Sequence, residues 1–307
     1  MEPDFVYQNR TLFGIESSSV RLTWSVYYFF ILLSSLLGDS TILIASIKYR
    51  AFKLPNFLVT IIHHMAACDV IISITSITPM IISLVANGWV TGRLMCILTA
   101  FTMYYTNMVS VLLVCAMTTS KLLILKFPLH PWFNEKRHAH LLCSTLWIVA
   151  LNLPLTCISI DKSDAYFDYR IYTCYYAYSS DAWNKRIWLM HFLTIINYNI
   201  PIVTVVFTTI LLLIAAQRIA QKKQVRLKRQ GIRTAICTAG FCCIAFLPYT
   251  VFCIFVSSLY EELFYYRLAW SVLFLNVVGN FYIYSVTVTS FRKFLRARIT
   301  ILLRKLN

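Results

Sequence analysis

Charge is scarce in this chain of 307 residues, and acidic residues are the scarcest. Only 13% of the residues are charged, whereas roughly 25% is usual in a globular domain. Aspartate and glutamate together number 12, against 28 lysines and arginines. With 59% apolar residues and a mean hydropathy of +0.69, this composition excludes a soluble enzyme, a disordered protein and a disulfide-stapled mini-protein.

The motifs of several function classes are also missing. We find no metal-ligand spacing, no nucleophile elbow and no phosphate-binding loop, so we do not expect an enzyme. No inverted repeat is evident and intramembrane charge is confined to two acids, which disfavours a transporter or a channel. Residues 1–22 are polar and acidic and lack the basic start of a cleavable signal peptide.

Long apolar runs are abundant instead. Each has about 20 or more residues and is long enough to cross ~30 Å of hydrocarbon as a helix. They are too long for the strands of an outer-membrane barrel. We number them span 1 to span 7, and they lie near Trp24–Ile47, Phe57–Ala86, Ile97–Leu125, Leu141–Ile160, Ile187–Ala216, Thr234–Val256 and Leu268–Thr289.

The basic residues predict the orientation. With a short extracellular N-terminus at residues 1–23, the inner segments hold 20 of the 28 lysines and arginines and a single acid, Glu135. The sequence therefore predicts a multi-pass plasma-membrane protein. Its net charge of +16 indicates topology and attraction to anionic membrane lipid, not nucleic-acid binding. A glycosylation motif at Asn9 fits the outer side.

An amphipathic helix is expected after span 7, at residues 291–307. Its apolar residues share one helical face and its opposite face is basic, so it should lie on the membrane surface as a cytoplasmic tail. We expect residues 1–290 to form one membrane domain. The apolar residues of the tail are Phe291, Phe294, Leu295, Ile299 and Leu302.

Several residues stand at fixed places in these spans. They are Gly38-Asp39, Asp69, Trp89, Cys96, Trp147, Pro201, Phe246-Leu247-Pro248-Tyr249 and Asn280-Phe281-Tyr282-Ile283-Tyr284. At these mutual spacings the chain resembles the rhodopsin-like (class A) G-protein-coupled receptors. The resemblance implies an all-α seven-transmembrane helix bundle with a short amphipathic helix after span 7. It also implies a receptor that binds an extracellular ligand and activates heterotrimeric G proteins.

The family resemblance also implies a disulfide. Cys96 stands at the outer end of span 3 and Cys174 stands in the second extracellular loop, where the family has its bonded pair. The outer face is oxidising, so the bond would persist. No cysteine follows Cys253, which excludes palmitoylation after span 7.

Two acids, Asp39 and Asp69, lie inside spans, where ionisable groups are costly and usually functional. The resemblance places Asp69 with Ser110, Asn276 and Asn280 in a sodium pocket, and sodium is the one cofactor we consider. Asp39 replaces an amide of the family and should lie near Asp69. Two close carboxylates cannot easily both ionise, so we expect them to share a proton or a sodium ion. The alternative is a protonated Asp39 bonded to backbone.

The signalling face departs from the family. Its Asp-Arg-Tyr corresponds to Ser120-Lys121-Leu122, counted forward from Cys96 or back from Pro128. Lys121 keeps the charge but not the planar fork of arginine, and Ser120 cannot restrain it as an aspartate would. Phe281 replaces a proline and removes a helix break.

These departures leave two functional interpretations open. The chain could be a receptor that signals, with raised basal activity because its inactive-state lock is missing. It could instead bind ligand as a decoy or partner receptor with little coupling. Leu129 and Tyr284 match family residues used in coupling, which favours signalling, although ordinary packing would also explain them.

A ligand pocket should open outward between spans 3, 5, 6 and 7. Met103 stands where monoamine receptors have an aspartate and Phe274 stands where opsins have a lysine, so we expect neither ligand. The lining is aromatic with a few neutral polar groups, and core packing is the alternative role for each member. The candidates are Met103, Asn107, His191, Asn197, Phe246, Tyr249, Trp270 and Phe274.

The second extracellular loop, residues 161–178, contains six tyrosines and three aspartates. With Glu261 and Glu262 opposite, it could form an acidic aromatic lid that suits a cationic peptide. A solvated loop with a small hairpin is the simpler interpretation. A lipid or other small-molecule amphiphile is the alternative ligand.

Overall fold

Seven long apolar helices dominate the structure, a computed structural model that describes residues 17–127, 135–161, 165–176, 196, 199–221, 226–255 and 263–306. Within those ranges, seven helices are long and apolar enough to cross a membrane, which confirms the seven predicted spans. The membrane-competent stretches are Ser18–Ile47, Asn56–Ala86, Arg93–Lys126, Lys136–Thr156, Ile200–Arg218, Gln230–Pro248 and Arg267–Thr287.

Spans 1, 3, 5 and 6 are helices without a described interruption. Span 1 is Ser18–Ile47, span 3 is Arg93–Lys126, span 5 is Ile200–Gln221 and span 6 is Arg226–Phe255. The first part of predicted span 5, residues 187–195, lies outside the described residues. A further helix, Thr289–Leu306, follows span 7 and is called the terminal helix below.

Span 2 contains a π-helical turn, and proline explains it. The helix Asn56–Ile72 passes through the wider turn Ser73–Ile77 into the helix Thr78–Ala86. Pro79 has no N–H to donate to the carbonyl of Thr75, four residues earlier. That carbonyl instead accepts a hydrogen bond of 2.9 Å from the hydroxyl of Thr99 in span 3. The carbonyl that Pro79 leaves without a helical donor therefore forms a hydrogen bond between spans 2 and 3.

Spans 4 and 7 are each interrupted, although the sequence predicted one continuous helix for both. Span 4 consists of Lys136–Ala150 and Asn152–Asp161, and the break precedes Pro154, which cannot donate to Ala150. Span 7 consists of Leu263–Leu273 and Leu275–Thr287, with a turn at Phe274. The helix continues through Phe281, as we predicted from the absence of proline there.

The bundle has two chemically different ends. At one end, strand β1 (Ala165–Asp168) pairs antiparallel with β2 (Thr173–Tyr176) and lies against span 3. We call this the disulfide end. The opposite end holds Arg50, Lys121, Lys136 and the start of the terminal helix, and we call it the basic end.

The terminal helix is fixed to the bundle by aromatic packing. Phe291 is fully buried, and its ring stacks on Phe52 with 4.7 Å between centroids. Phe294 lies beside Tyr49, and the Arg298 guanidinium stands 4.1 Å from the centre of the Tyr49 ring. The apolar face predicted from the sequence therefore faces the loop that joins spans 1 and 2.

Candidate functional site

The β-hairpin covers the disulfide end because it is bonded to span 3. Cys96 and Cys174 form a disulfide with 5.2 Å between their Cα atoms, which confirms the pairing implied by the resemblance. Phe167 of β1 pairs with Cys174 of β2, and its side chain is buried. The hairpin is thus part of the core and not a solvated loop.

The hairpin neutralises its own acid. Asp168 is 4% exposed, and its carboxylate pairs with the Arg170 guanidinium at 2.7 Å. The same carboxylate accepts a hydrogen bond from the Arg170 backbone N–H at 2.8 Å. Asp168 is therefore already paired within the hairpin. The other acids of the predicted lid, which are Asp161 by its side chain, Asp164, Glu261 and Glu262, lie outside the described residues.

Arg267 of span 7 holds the hairpin down from the other side. It is 3% exposed, and its Nε donates to the backbone carbonyl of Arg170 at 2.7 Å. Its guanidinium stands 5.4 Å from the ring centre of Tyr172 and 5.9 Å from that of Trp24 in span 1. One buried cation therefore connects the hairpin with spans 1 and 7. Nothing in the local sequence separates Arg267 from the other outer basic residues.

Five of the predicted pocket residues are buried below the hairpin. Met103, Trp270 and Phe274 belong to the same apolar cluster as the hairpin, whereas Phe246 belongs to the neighbouring cluster. The side-chain amide of Asn107 donates to the Met103 carbonyl at 2.9 Å. The structure thus places a packed, mainly aromatic layer between the hairpin and the bundle centre. His191, Asn197 and the side chain of Tyr249 lie outside the described residues.

The two intramembrane acids meet in one buried cluster. Asp39 is fully buried and Asp69 is 2% exposed. Asn280 donates to the Asp69 carboxylate at 2.6 Å, and Ser35 donates to the Asp39 carboxylate at 2.8 Å. The other carboxylate oxygen of Asp39, Oδ1, is buried and has no hydrogen-bond partner among the described residues.

Two serines complete this cluster, and sequence reasoning missed them. The Ser73 hydroxyl lies 2.8 Å from the Ser35 hydroxyl and 2.7 Å from the Asp69 backbone carbonyl. Ser35 precedes Asp39 by four residues and Ser73 follows Asp69 by four residues, so each shares a helix face with its acid. That spacing is a signal by which the serines could have been found.

Ser110 and Asn276, the other predicted members of the sodium pocket, form their own pair. The Asn276 amide donates to the Ser110 hydroxyl at 2.8 Å, and this bond joins spans 3 and 7. Asn280 also connects the two acids to Tyr284, which lies closer to the basic end. Its side-chain amide oxygen accepts a hydrogen bond of 3.4 Å from the Tyr284 hydroxyl. Tyr284 is fully buried against Phe52.

Lys121 is buried at the basic end. It is 2% exposed and the neighbouring Ser120 is 5% exposed. A methyl group placed on Gly231 of span 6 would lie 2.5 Å from the Lys121 ammonium nitrogen, so the two spans touch at this point. Lys121, which we predicted to take the place of the family's arginine, therefore lies between spans 3 and 6. Leu129 and the glycosylation motif at Asn9 lie outside the described residues.

Comparison with known proteins gives consistent findings. The family model of the 7 transmembrane receptor (rhodopsin family) matches residues 38–292. A QRFP-like peptide receptor of Branchiostoma floridae is 21% identical over an alignment of 248 residues that covers 76% of this chain and 64% of that protein. The chain therefore spans less than two thirds of that relative's length. The crystal structure of squid rhodopsin superposes with a TM-score of 0.77 at 14% identity, covering 98% of this chain and 91% of that one, which shows the fold alone.

Proposed function

This chain belongs to the rhodopsin family of seven-transmembrane receptors, and on that premise we propose that it is a cell-surface receptor that binds an extracellular ligand and activates heterotrimeric G proteins. The family is one of receptors and not a class of enzymes. In the proposed orientation the disulfide end faces outward and the basic end faces the cytoplasm. The excess of lysine and arginine in the segments of the basic end supports this orientation.

A peptide is the ligand class we propose first. The similar Branchiostoma protein is named a peptide receptor, which supports this choice. The covered entrance gives more specific support, because the hairpin packs directly on the aromatic layer that contains Trp270 and Phe274. A peptide could contact the hairpin and the aromatic layer at the same time, whereas a small amphiphile would have to pass below the hairpin.

The buried contact between Lys121 and Gly231 is the observation that carries the signalling proposal. Separation of spans 3 and 6 would open the basic end, because the two spans touch there. A cation held between these spans stabilises their packed arrangement and becomes accessible to a G protein when they separate. The chain thus keeps a positive charge at the position where the family places its arginine.

A ligand-binding receptor that does not couple is the second candidate. It is favoured by Ser120, because a serine cannot form the charged restraint that the family's aspartate provides. It is also favoured by the lysine side chain, which lacks the fork geometry of arginine for contacting a partner.

Basal activation of a panel of G proteins in cells separates the two candidates. Wild type, Ser120→Asp and Lys121→Arg are compared at matched surface expression. The proposal expects coupling above mock-transfected cells, reduced in Ser120→Asp because the new carboxylate restrains Lys121. No coupling in wild type together with a gain in Lys121→Arg would establish the non-coupling receptor.

We also propose that Asp39 and Asp69 share a proton or a sodium ion. The Oδ1 atom of Asp39 supports this: it has no hydrogen-bond partner in the part of the chain that the structure describes, and a buried carboxylate oxygen needs a proton or a cation. Carboxylate and hydroxyl oxygens are hard donors that suit a small cation, and Asp39, Asp69 and Ser35 would supply them. A bound sodium ion would neutralise charge and stabilise the packed bundle.

Thermal unfolding of the purified receptor tests the shared ion. Replacement of sodium by choline should lower the melting temperature of wild type and leave Asp39→Asn little changed. If a proton is shared instead, wild type should respond to pH and Asp39→Asn should not. Equal responses of both proteins to sodium and to pH would contradict a shared ion.

A further inference from the structure

Two histidines join spans 2 and 4 near the basic end, apart from every site described above. His64 of span 2 faces His140 of span 4, with 3.3 Å between His64 Nε2 and His140 Nδ1. On the other side of the His64 ring, the Trp147 indole N–H donates to Nδ1 at 3.2 Å. Trp147 also belongs to span 4, so His64 is bonded to that span twice. We call these three side chains the histidine link.

Trp147 determines the protonation of both histidine rings. An indole N–H group can only donate, so His64 Nδ1 must be an unprotonated acceptor. The neutral His64 ring therefore carries its proton on Nε2, which donates to His140 Nδ1. That nitrogen must be unprotonated as well, and the neutral His140 ring has its proton on Nε2. The histidine link thus requires both rings to be neutral.

The indole that bonds His64 is itself held by span 3. The Tyr105 hydroxyl donates to the Trp147 backbone carbonyl at 3.1 Å. The two rings meet edge to face, with 5.5 Å between their centroids. Because these contacts fix Trp147, the indole keeps its donor on His64, and His64 Nδ1 stays occupied as an acceptor.

The two histidine rings differ in their access to solvent. His140 is exposed, whereas His64 is only partly exposed and has both ring nitrogens in the link. A proton from solvent therefore reaches His140 before His64. On His140 Nδ1 this proton would point at the N–H of His64 Nε2, so two donors would face each other without an acceptor. Protonation of His140 thus replaces a hydrogen bond between the spans by a repulsion.

The surroundings of His140 are basic and do not compensate an added proton. Arg50 from the loop after span 1, His63 from span 2 and Lys136 from span 4 line a cavity of about 370 Å³ together with His140. No acid lines this cavity among the described residues. Span 3 contributes the phenol of Tyr105, and a tyrosine phenol is neutral near pH 7. A charged His140 ring would therefore turn out of the link into solvent.

We propose that His140 Nδ1 is a proton-binding site, and that proton uptake there releases span 4 from span 2. A histidine ring in water takes up a proton at about pH 6.5. The link is therefore closed at about pH 8, and it opens as the pH falls through about 6.5. Its contribution to stability is present above this range and is lost below it. In the proposed orientation the proton comes from the cytoplasm, and only this statement rests on the proposed function.

Thermal unfolding of the full chain in nanodiscs tests the proton site. The melting temperatures of wild type and His140→Asn are compared from about pH 8 to about pH 5.5, on both sides of the histidine range, at constant sodium concentration. Asparagine is the conservative variant, because its amide oxygen can replace Nδ1 as the acceptor but takes up no proton. Nanodiscs expose both ends of the receptor, so the result depends neither on its orientation nor on G-protein coupling.

A second histidine variant provides the control. His138 lies on the same helix as His140, and its ring pairs with the Glu135 carboxylate at 3.7 Å. His138→Asn therefore removes a titrating ring and leaves the histidine link intact. The acid responses of Asp39 and Asp69 are common to all three proteins, so they cancel in the comparison.

The expected results follow from the loss of one hydrogen bond. Near pH 8 the three proteins should melt within about 1 °C of one another, since the link or its amide replacement is closed in all of them. On acidification, wild type and His138→Asn should lose about 2–4 °C more than His140→Asn, which is the effect of one hydrogen bond in a large domain. An equal loss in wild type and His140→Asn, or an equally reduced loss in His138→Asn, would overturn the proposal.

Nitrogen NMR of the histidine-labelled receptor tests the link itself. The His64 signals are assigned by their absence from His64→Asn. Near pH 8 they should show an unprotonated Nδ1 and a protonated Nε2, as the donor of Trp147 requires. The opposite tautomer, with the proton on Nδ1, would contradict the proposal whatever the melting temperatures show.

Discussion

The two ends of the bundle organise their charged groups in opposite ways. At the disulfide end Asp168 pairs with Arg170, and Arg267 is buried against two backbone carbonyls and two aromatic rings. At the basic end a cavity of about 370 Å³ remains between the ends of spans 1, 2 and 4, and no acid lines it among the described residues. The first end is closed by its own bonds, and the second presents positive charge to partners.

This difference indicates how an extracellular ligand and a cytoplasmic partner would each bind. An extracellular ligand must meet a layer that is already packed, so its affinity depends on displacing or joining the hairpin. A partner at the basic end meets a surface on which the described residues place several cations, among them the exposed Arg50 and Lys136. Electrostatic attraction therefore matters more at the basic end, and packing matters more at the disulfide end.

Removal of the disulfide should have the largest effect on stability, because it releases the hairpin that closes the disulfide end. The bond joins residues 78 positions apart, and loss of such a bond typically costs about 2–5 kcal/mol of stability. We expect Cys96→Ala with Cys174→Ala to lower the melting temperature and surface expression sharply. Cys237→Ala, at an exposed free cysteine of span 6, is the control and should behave as wild type.

A methyl group at Gly279 should have the next largest effect. It would overlap the Phe241 ring, because spans 6 and 7 touch there. Overpacking of this kind typically costs about 1–3 kcal/mol. Gly240→Ala on span 6 is the matched control, since no atom of the described residues lies within 4 Å of its added methyl group. Comparable melting temperatures for Gly279→Ala and Gly240→Ala would refute the close contact.

Arg267→Lys should loosen the hairpin by a smaller amount. Lysine keeps the charge but loses the planar guanidinium that contacts both the Arg170 carbonyl and the aromatic rings. We expect a loss of about 1 kcal/mol, in the range of one net hydrogen bond. Limited proteolysis of the hairpin should become faster, whereas cleavage at the terminal helix should not. Uniform acceleration at both ends would indicate general destabilisation instead.

Gly231→Ala should have the smallest effect on stability but a clear effect on activity. The added methyl group would displace the end of the flexible Lys121 side chain, which can move at little cost. Helix propensity even favours alanine over glycine, by about 1 kcal/mol. We therefore expect a near-normal melting temperature with raised basal G-protein activation. Unchanged basal activation would mean that Lys121 does not contribute to the packed arrangement of spans 3 and 6.

Much of the fold could be predicted from the sequence, because each span is a long, mostly apolar run whose length is set by bilayer thickness. The helix interruptions could not all be predicted. Pro154 marks the break in span 4, but the turn at Phe274 in span 7 has no such marker in the sequence. Its position depends on packing between helices, which a single sequence does not display.

The candidate site was predictable only in part for the same reason. Asp39 and Asp69 stand out because charge is rare inside spans, and the structure places them in one cluster. Arg267 looked like any outer basic residue, and its role appears only when the hairpin is placed against span 7. The cavity between spans 1, 2 and 4 likewise depends on relative helix positions.

Guanine-nucleotide exchange with purified components tests the central claim most directly. The full chain in nanodiscs is combined with purified heterotrimers of each Gα class, and exchange is compared with that of empty nanodiscs. The account predicts accelerated exchange with at least one class, reduced in Lys121→Ala because the positive charge that the G protein would contact is lost. Exchange equal to empty nanodiscs for every class, in wild type and in Gly231→Ala, would contradict the proposal that this receptor signals.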